Sequence, residues 1–460
     1  TITNDENSTI DTTAGNTGLV LGIGAGGNIS ITNDHASDIL GRALIGSTSG
    51  SVTITNDHGS TWTSEGVSVI GALGSGQSVT LDNKGGSNVT VTDGLLAMAA
   101  NQDVLINNYT NPWAYPPESR SAISFEGSSA NLMIAGRDAI ITNDGSDFTM
   151  DSIGPGAGGN LMFAGRDAKI LNMNGATFSM NNLLNGNYMN AENDAVIENT
   201  NGSTFTMTGI NGNAMVADND ATITNELGST FELEGLNGAL MIADAGSSSD
   251  PSDGVGDAKI QNLTGSTITF RGLTLAGMTA AGEASITNDD TSSLNFFGLN
   301  LFNFSAKTTY LQNDGTTNVD GVTVFNGLQN LNNHGLINMV DDATGDAISQ
   351  NDGNYNAGSD WWIDAELTPG GTADFMYVGG NVTGVTHLGV NDTDTGPGQY
   401  DPDGILFAVV SGTTDPSNFT TDGGIDKGLY RYDAYLRPND PEVGGDNGWY
   451  LASTLDQEAY

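Results

Sequence analysis

Residues 221–243, ATITNELGSTFELEGLNGALMIA, contain the unit from which most of this chain is built. Apolar and polar residues alternate in three short runs, Ala221–Ile223, Thr230–Leu233 and Ala239–Ile242. Alternation with a period of two is typical of strands and not of helices. Turns rich in glycine, asparagine and aspartate separate such runs, so each unit predicts three short strands.

The unit recurs: Asn225 ends a phrase, Ile or Leu–any residue–Asn, that returns at thirteen spaced positions along the chain. Most repeats are 23–29 residues apart, with wider gaps of 35 and 37 and a last gap of 20. Self-similarity at this period predicts a solenoid. The repeated asparagines are Asn4, Asn33, Asn56, Asn83, Asn108, Asn143, Asn172, Asn199, Asn225, Asn262, Asn288, Asn313 and Asn333.

Alignment on these asparagines reveals apolar columns. One column is methionine: Met98, Met133, Met162, Met189, Met215, Met241 and Met278. Strands this short have to pair with the same strand of the next coil, in parallel and in register, at a spacing of ~4.8 Å. The sequence therefore predicts an all-β chain, a right-handed three-stranded parallel β-helix. We interpret the methionines as core filler rather than cofactor ligands and the asparagines as a ladder of side-chain amides.

Composition narrows the functional classes. The chain has 460 residues, 12 basic and 55 acidic side chains, a net charge of -43 and no cysteine. Such a charge repels nucleic acid and anionic membrane surfaces, so neither is an expected partner. No apolar run reaches 18 residues, so we expect no direct membrane insertion of this segment.

A column of acids stands five residues before the repeated asparagine. Its members are Asp103, Asp138, Asp167, Asp194, Asp220, Asp257 and Glu283. One interpretation is that each acid caps its turn by accepting a backbone N–H. The other is a functional edge that binds cations or an identical rod, because Asn101, Arg137, Arg166, Asn193 and Asn219 precede acids of this column.

Two insertions interrupt the period. The first, residues 109–118, places Trp113 and Tyr115 among prolines, which suits sugar stacking or protein recognition unless the loop only folds back on the rod. The second contains Asp250, Asp253 and Asp257, whose carboxylates are suitable calcium ligands, although their spacing matches no EF-hand loop and favours a flexible solvated loop. Calcium is the one cofactor we consider; otherwise none is expected.

Two histidines repeat with the period. His35 and His58 each follow the sequence Ile-Thr-Asn-Asp, at 31–34 and 54–57, so they are expected to stack one coil apart on the surface. Repeat duplication explains this arrangement, and a metal pair or a pH switch is the functional alternative.

In the last third of the chain the asparagine repeat fades and aromatic residues become frequent. An apolar run, Ile405–Val410, is followed by Gly-Leu-Tyr-Arg-Tyr at 428–432 and Gly-Trp-Tyr-Leu at 448–451. This end resembles the close of autotransporter (type V secretion, pertactin-like) passenger domains over about 405–451. The resemblance implies that Tyr430, Tyr432, Trp449 and Tyr450 act in an autochaperone-like cap. We predict a repetitive β-helix of about 13 coils over 1–340, degenerate coils with a loop insertion over 341–404, and the cap over 405–460.

The resemblance also implies a function. Similar passengers of the AIDA type are adhesins displayed on the bacterial cell surface, where they drive self-association, aggregation and biofilm formation. We therefore expect identical chains on neighbouring cells as partners, in a segment of a longer exported protein. A heterotypic adhesin for a host matrix protein or glycan is the alternative, followed by a pure scaffold.

An enzyme is not expected. The chain has four histidines and no Gly-x-Ser-x-Gly sequence between a strand and a helix. A β-helical polysaccharide lyase is the lesser alternative, with Arg137 and Arg166 beside the acids as its candidate bases.

Overall fold

The predicted all-β class is confirmed. The computed structural model describes residues 1–4, 6, 8–11, 21–66, 68–92, 96–110, 119–126, 132–151, 162–181, 188–209, 211–243, 256–272 and 274–455. Over these ranges the chain is a parallel β-solenoid of about 12 turns, and its one helical segment is the 3-10 turn Pro441–Val443. The fold divides into two compact units, Thr1–Lys259 with Thr279–Gly282, and Ile260–Met278 with Glu283–Tyr460. The predicted boundaries at residues 340 and 404 stay predictions.

Each coil of the first unit contributes one strand to each of three faces. The asparagine face consists of Ile2–Asn4, Ile29–Asn33, Val52–Asn56, Val79–Lys84, Val104–Tyr109, Ala139–Asp144, Ala168–Met173, Ala195–Asn199 and Ala221–Asn225. The phenylalanine face consists of Thr9–Asp11, Asp38–Leu40, Thr61–Glu65, Asn88–Thr92, Ala122–Glu126, Asp147–Asp151, Thr177–Asn181, Thr204–Thr208 and Thr230–Glu234. The methionine face consists of Leu21–Ala25, Ala43–Ser47, Ser68–Ala72, Leu96–Ala100, Met133–Ala135, Met162–Ala164, Met189–Ala191, Met215–Ala217 and Asn237–Ala243.

Strands of each face pair in parallel with the same register from coil to coil. Asn172 pairs with Asn199 and Asn199 with Asn225, so the repeated asparagines stand above one another. Each is buried, and its Nδ2 donates to Oδ1 of the next, at 2.8 Å in both of these steps. The predicted amide ladder is therefore present, and it runs from Asn4 to Asn225 within this unit.

The core of the first unit is made of identical side chains in stacks. The rings of Phe148, Phe178, Phe205 and Phe231 lie 4.7–4.8 Å apart and nearly parallel. The methionines from Met98 to Met241 also pair in register and are buried, as expected of core filler. Phe148 stands five residues after its asparagine, whereas the other three phenylalanines stand six after theirs, because its turn is one residue shorter.

The turn after the asparagine face explains the recurrent glycine. Asn201 and Gly202 both have positive φ, 57° and 72°, and Asn174 and Gly175 repeat this at 59° and 72°. Glycine adopts this left-handed region without a steric penalty, and asparagine tolerates it better than most residues. The turn redirects the chain so that Thr204 enters the phenylalanine face.

The second unit also consists of parallel strands in register, some of them longer than those of the first unit, and it ends in antiparallel strands. Its asparagine-face strands are Glu283–Asn288, Thr308–Asn313, Asn330–Asn333, Asn354–Ala357 and Val382–Thr383. Its other parallel strands are Thr267–Arg271, Ser293–Ser305, Thr316–Asn326, Leu336–Asn338, Ala347–Gln350, Asp360–Ala365, Phe375–Val378, Thr386–Asp392, Ile405–Val410 and Phe419–Thr420. Ala258–Asn262 and Thr274–Ala280 span the division along the chain. The ladder in this unit runs from Asn262 to Asn333 and ends where Asn333 donates to the hydroxyl of Tyr355 at 3.4 Å.

The end of the second unit is antiparallel and aromatic. The strand Asn447–Leu455 pairs antiparallel with both Ile405–Val410 and Tyr430–Arg437, and Ile425–Lys427 adds a further strand. Tyr432 and Trp449 are fully buried, and the Tyr432 hydroxyl donates to the Gln399 carbonyl at 2.9 Å. The strand Asn447–Leu455 runs back along Ile405–Val410 and pairs with the edge of that strand that would otherwise be open.

Candidate functional site

The predicted edge lies at the turn between the methionine face and the asparagine face. Residues immediately before the acids stack through backbone hydrogen bonds: Arg137 N–H donates to the Gln102 carbonyl and Arg166 N–H to the Arg137 carbonyl, both at 2.8 Å. Asn193 and Asn219 continue the series at 2.8 and 3.0 Å. We call this row, together with the acids that follow its members from Asp103 to Asp220, the turn strip.

Two arginines neutralise the first half of the turn strip. Arg137 donates from Nε and Nη2 to the two oxygens of Asp103 at 2.8 and 2.6 Å, and lies 3.3 Å from Asp138. Arg166 likewise donates from Nε and Nη2 to the two oxygens of Asp138, at 2.8 and 2.5 Å, and its Nε lies 3.5 Å from Asp167. Each guanidinium therefore bridges the acids of two consecutive coils. The hydrogen bonds that Arg166 donates to Asp138 raise the pKa of Arg166 above its ordinary value.

The other half of the strip has acids without arginine. All twelve lysines and arginines belong to the described ranges, and none forms an ion pair with Asp194 or Asp220. Burial, followed by the nearby charges of Asp167 and Asp220, raises the pKa of Asp194. The nearby charge of Lys169 acts in the opposite direction on Asp194. The two halves of the strip therefore differ in pairing, with guanidinium–carboxylate ion pairs at one end and carboxylates without an ion pair at the other.

Several of these acids also make the turn contacts expected of a cap. Oδ1 of Asp194 accepts the N–H of Asp220 at 3.4 Å, and Oδ1 of Asp220 accepts the N–H of Asp257 at 3.0 Å. Neighbouring carboxylates at coil spacing repel by only ~0.8 kcal/mol in bulk water, so backbone donors and solvent together make the column tolerable. An acid of this column can therefore accept a backbone N–H and still belong to a polar edge of the solenoid.

The remaining predicted residues fall in different places. Asn101 is exposed and precedes the stacked position, which Gln102 occupies; counting one residue back from Asp103 identifies Gln102, whereas Asn101 stands two back. Asp257 lies 2.7 Å from Nζ of Lys259, a lysine that the sequence argument missed. Glu283 belongs to the second unit, where it accepts from the Tyr310 hydroxyl at 2.8 Å.

Four predicted residues lie outside the described residues: Trp113, Tyr115, Asp250 and Asp253. The sugar-stacking loop and the calcium loop therefore stay predictions. Among the residues that the structure does describe, no helix is long and apolar enough to cross a membrane.

The second unit contains a further group of polar residues that sequence reasoning did not single out. Asp346, Asp364 and Asp374 are buried, and Oδ1 of Asp374 accepts the N–H groups of Gly345 and Asp346 at 2.9 and 3.0 Å. Burial raises the pKa of Asp346 to about 7 and that of Asp374 to about 6. These acids belong to the second unit, whereas the turn strip belongs to the first.

Comparison with known proteins adds no family. The chain matches no protein-family model and none of the curated proteins.

Proposed function

We propose that this chain is a surface-displayed adhesin of the autotransporter passenger type, and that its turn strip mediates association with identical chains. The parallel β-solenoid with its asparagine ladders is compatible with a β-helical passenger domain. The observation that carries the self-association proposal is the charge asymmetry of the turn strip, with arginines on two consecutive coils and acids that form no ion pair on the next two.

Such a strip is complementary to a second copy of itself when the two copies run antiparallel. A two-fold axis between the coils of Arg166 and Asn193 places Arg166 opposite Asp194 of the other copy, and Arg137 opposite Asp220. The same contacts then form twice, as in every isologous interface. Bidentate contacts to Asp138 use Nε and Nη2 of Arg166, so Nη1 is the nitrogen available to a partner.

The expected affinity of one such contact is low. Exposed ion pairs contribute about 0–1 kcal/mol each, so four of them give a weak interface. Many copies on each of two cells convert weak contacts into strong adhesion, because the first contact raises the effective concentration for the next. A reversible polar interface of this kind suits cells that aggregate and separate.

Net charge sets the conditions under which association is expected. A chain of charge -43 repels its own copies at long range. At physiological ionic strength the Debye length is about 8 Å, so this repulsion is screened while contacts at hydrogen-bond distance persist. We expect aggregation to weaken at low ionic strength and to respond to divalent cations or to a change from pH 8 to pH 5.

The test uses bacteria that display the chain in two colours. Displaying cells are mixed with bare cells of the other colour, and the clumps are imaged. Clumps of displaying cells alone support homotypic association. Clumps that recruit bare cells indicate a ligand on those cells, and an absence of clumping removes self-association and directs attention to host glycans or matrix proteins.

A charge-exchange experiment tests the antiparallel pairing itself. Cells displaying Arg166→Glu and cells displaying Asp194→Arg are each expected to aggregate poorly, because like charges then face each other. A mixture of the two is expected to aggregate, because each changed residue meets an opposite charge on the other variant. Arg120→Glu, at an exposed arginine outside the strip, is the matched control and should aggregate like the unchanged chain. Failure of the mixture to aggregate, with both variants folded, refutes this geometry.

Glycan binding is the second candidate, and one observation favours it. Trp362 is 49% exposed and lies against Gly389, where an added Cβ would come within 2.7 Å of the indole ring. A depression of about 330 Å³ beside it is lined by Val340, Val390 and Asn391. An exposed indole next to an amide suits the apolar face and the hydroxyls of a sugar. Loss of binding to a glycan array on Trp362→Ala, with self-aggregation unchanged, would support this candidate.

A further inference from the structure

Three side chains of metal-binding types gather at one turn of the first unit, away from the turn strip. Ile31 to Asn33 pair in register with Ile54 to Asn56, so the residues that follow also stand one above the other. The rings of His35 and His58 stack 5.1 Å apart with a tilt of only 10°. Nδ1 of His58 lies 2.6 Å from Oδ1 of Asp34, and Nδ1 of His35 lies 3.4 Å from Oδ2 of the same carboxylate.

The backbone holds these side chains together. His35 and His58 have φ values of 54° and 48°, the left-handed conformation that the tight turn requires. Oδ1 of Asp34 accepts the N–H of His35 at 2.8 Å, which fixes the carboxylate against the turn. One ligand atom from each of Asp34, His35 and His58 lies within 4.8 Å of the other two.

The geometry points to a binding site for a divalent transition-metal ion of the zinc class, with Asp34, His35 and His58 as its three protein ligands. Imidazole nitrogen and carboxylate oxygen are the donors that zinc and its neighbours bind, at about 2.0–2.2 Å. Calcium and magnesium prefer oxygen donors alone, so this set does not suit them. In a tetrahedral site the donor atoms stand about 3.4 Å apart, as those bond lengths require.

The exposure of the two imidazole rings allows the small rotation that coordination needs. The side chains of His35 and His58 are 58% and 57% exposed, so rotation about their side-chain bonds meets little packing. Asp34 already lies between them and needs little movement. Three protein ligands leave one position of a tetrahedral zinc ion for water or for a group from another molecule.

The second unit supplies a natural comparison with one histidine instead of two. Asp314 and His334 directly follow Asn313 and Asn333, which are hydrogen-bonded to each other in the ladder. Nδ1 of His334 lies 3.1 Å from Oδ1 of Asp314. The side chain is 56% exposed, close to the exposure of His35 and His58. It follows its repeated asparagine directly, the place that Asp34 takes after Asn33, and it has a carboxylate partner but no second imidazole. It therefore tests whether one exposed histidine beside an acid is sufficient.

Zinc titration of the whole chain by isothermal calorimetry tests the site. Calcium in excess is included to occupy carboxylates that bind hard cations. We expect His35→Gln and His58→Gln each to weaken zinc binding by roughly 10- to 100-fold, a range that loss of even a supporting group at a metal site can produce. His334→Gln should leave the affinity unchanged, and circular dichroism should show the same β content in all four proteins.

Two results overturn the inference. The first is an unchanged chain that binds zinc no more tightly than the His35→Gln, His58→Gln double variant, since binding is then adventitious. The second is a loss on His334→Gln as large as that on His58→Gln, since any surface histidine beside an acid then serves equally well. Asp34→Asn adds a check on the third ligand, because the amide keeps the shape of the side chain and removes its charge.

Discussion

The asparagine ladder gives the sharpest quantitative prediction, and Asn199 is the residue at which to make it. Its side chain is fully buried. Nδ2 donates to Oδ1 of Asn225 and to the Thr230 carbonyl at 2.8 Å each, with a longer contact of 3.2 Å to the Ser203 carbonyl. Its Oδ1 accepts from Asn172 at 2.8 Å. Replacement by alanine removes one rung that links three consecutive coils.

The cost follows from the groups involved. Two N–H donors and one carbonyl acceptor are lost, and each net hydrogen bond is worth about 1 kcal/mol. The neighbouring Asn225 oxygen is left buried without this donor, so we expect Asn199→Ala to cost about 3 kcal/mol. Asn199→Asp should cost more at neutral pH, because a carboxylate brings a buried charge and removes both donors.

Hydrogen exchange measured on peptides covering 195–231 is the appropriate assay, because coils of a solenoid contact mainly their neighbours and open locally. A loss of about 3 kcal/mol corresponds to roughly 100-fold faster exchange. Asn190→Ala is the matched control, since Asn190 is only partly buried on the outer side of a methionine-face strand. Equal exchange in the Asn199 and Asn190 variants would refute a stabilising role for the ladder.

Three further predictions concern stability. Asp346 and Asp374, with pKa values raised to about 7 and about 6, hold protons in the folded chain at pH values where the unfolded chain has released them. Thermal unfolding should therefore show the second unit more stable at pH 5 than at pH 8, by at most about 3 kcal/mol for Asp346, because about two pH units separate pH 5 from its folded-state pKa. Asp346→Asn should reduce this difference, and an undiminished difference contradicts the assignment. Phe205→Ala opens a cavity in a stack of parallel rings and should cost about 3–5 kcal/mol in urea unfolding, whereas Phe205→Leu should cost much less. Tyr432→Phe leaves the Gln399 and Leu367 carbonyls without their hydroxyl donor and should cost about 1–2 kcal/mol, measured by unfolding of the second unit; no change would show that water replaces the donor.

Much of the fold was predictable because a solenoid repeats one local rule. The spacing of the asparagines, the period-two alternation and the methionine column identify parallel in-register pairing, since no other arrangement stacks each residue on its own kind. The same logic placed His58 over His35 and Asp138 over Asp103. A fixed count from the asparagine loses its place where a turn is one residue shorter, as before Phe148. The prediction also named Asn101, although Gln102 is the residue that stacks in the turn strip.

The sequence by itself therefore determined the strand type, the core columns, the ladder and the rows of acids, because all of them depend on residues one repeat apart. Only the tertiary structure decided which carboxylate each guanidinium contacts, so that Arg137 and Arg166 pair with Asp103 and Asp138 while Asp194 and Asp220 form no ion pair. It also decided that Asp346 and Asp374 are buried together and that the last strands turn antiparallel. These features depend on side-chain directions and on contacts between segments that share no repeat, and a linear pattern carries no information about either.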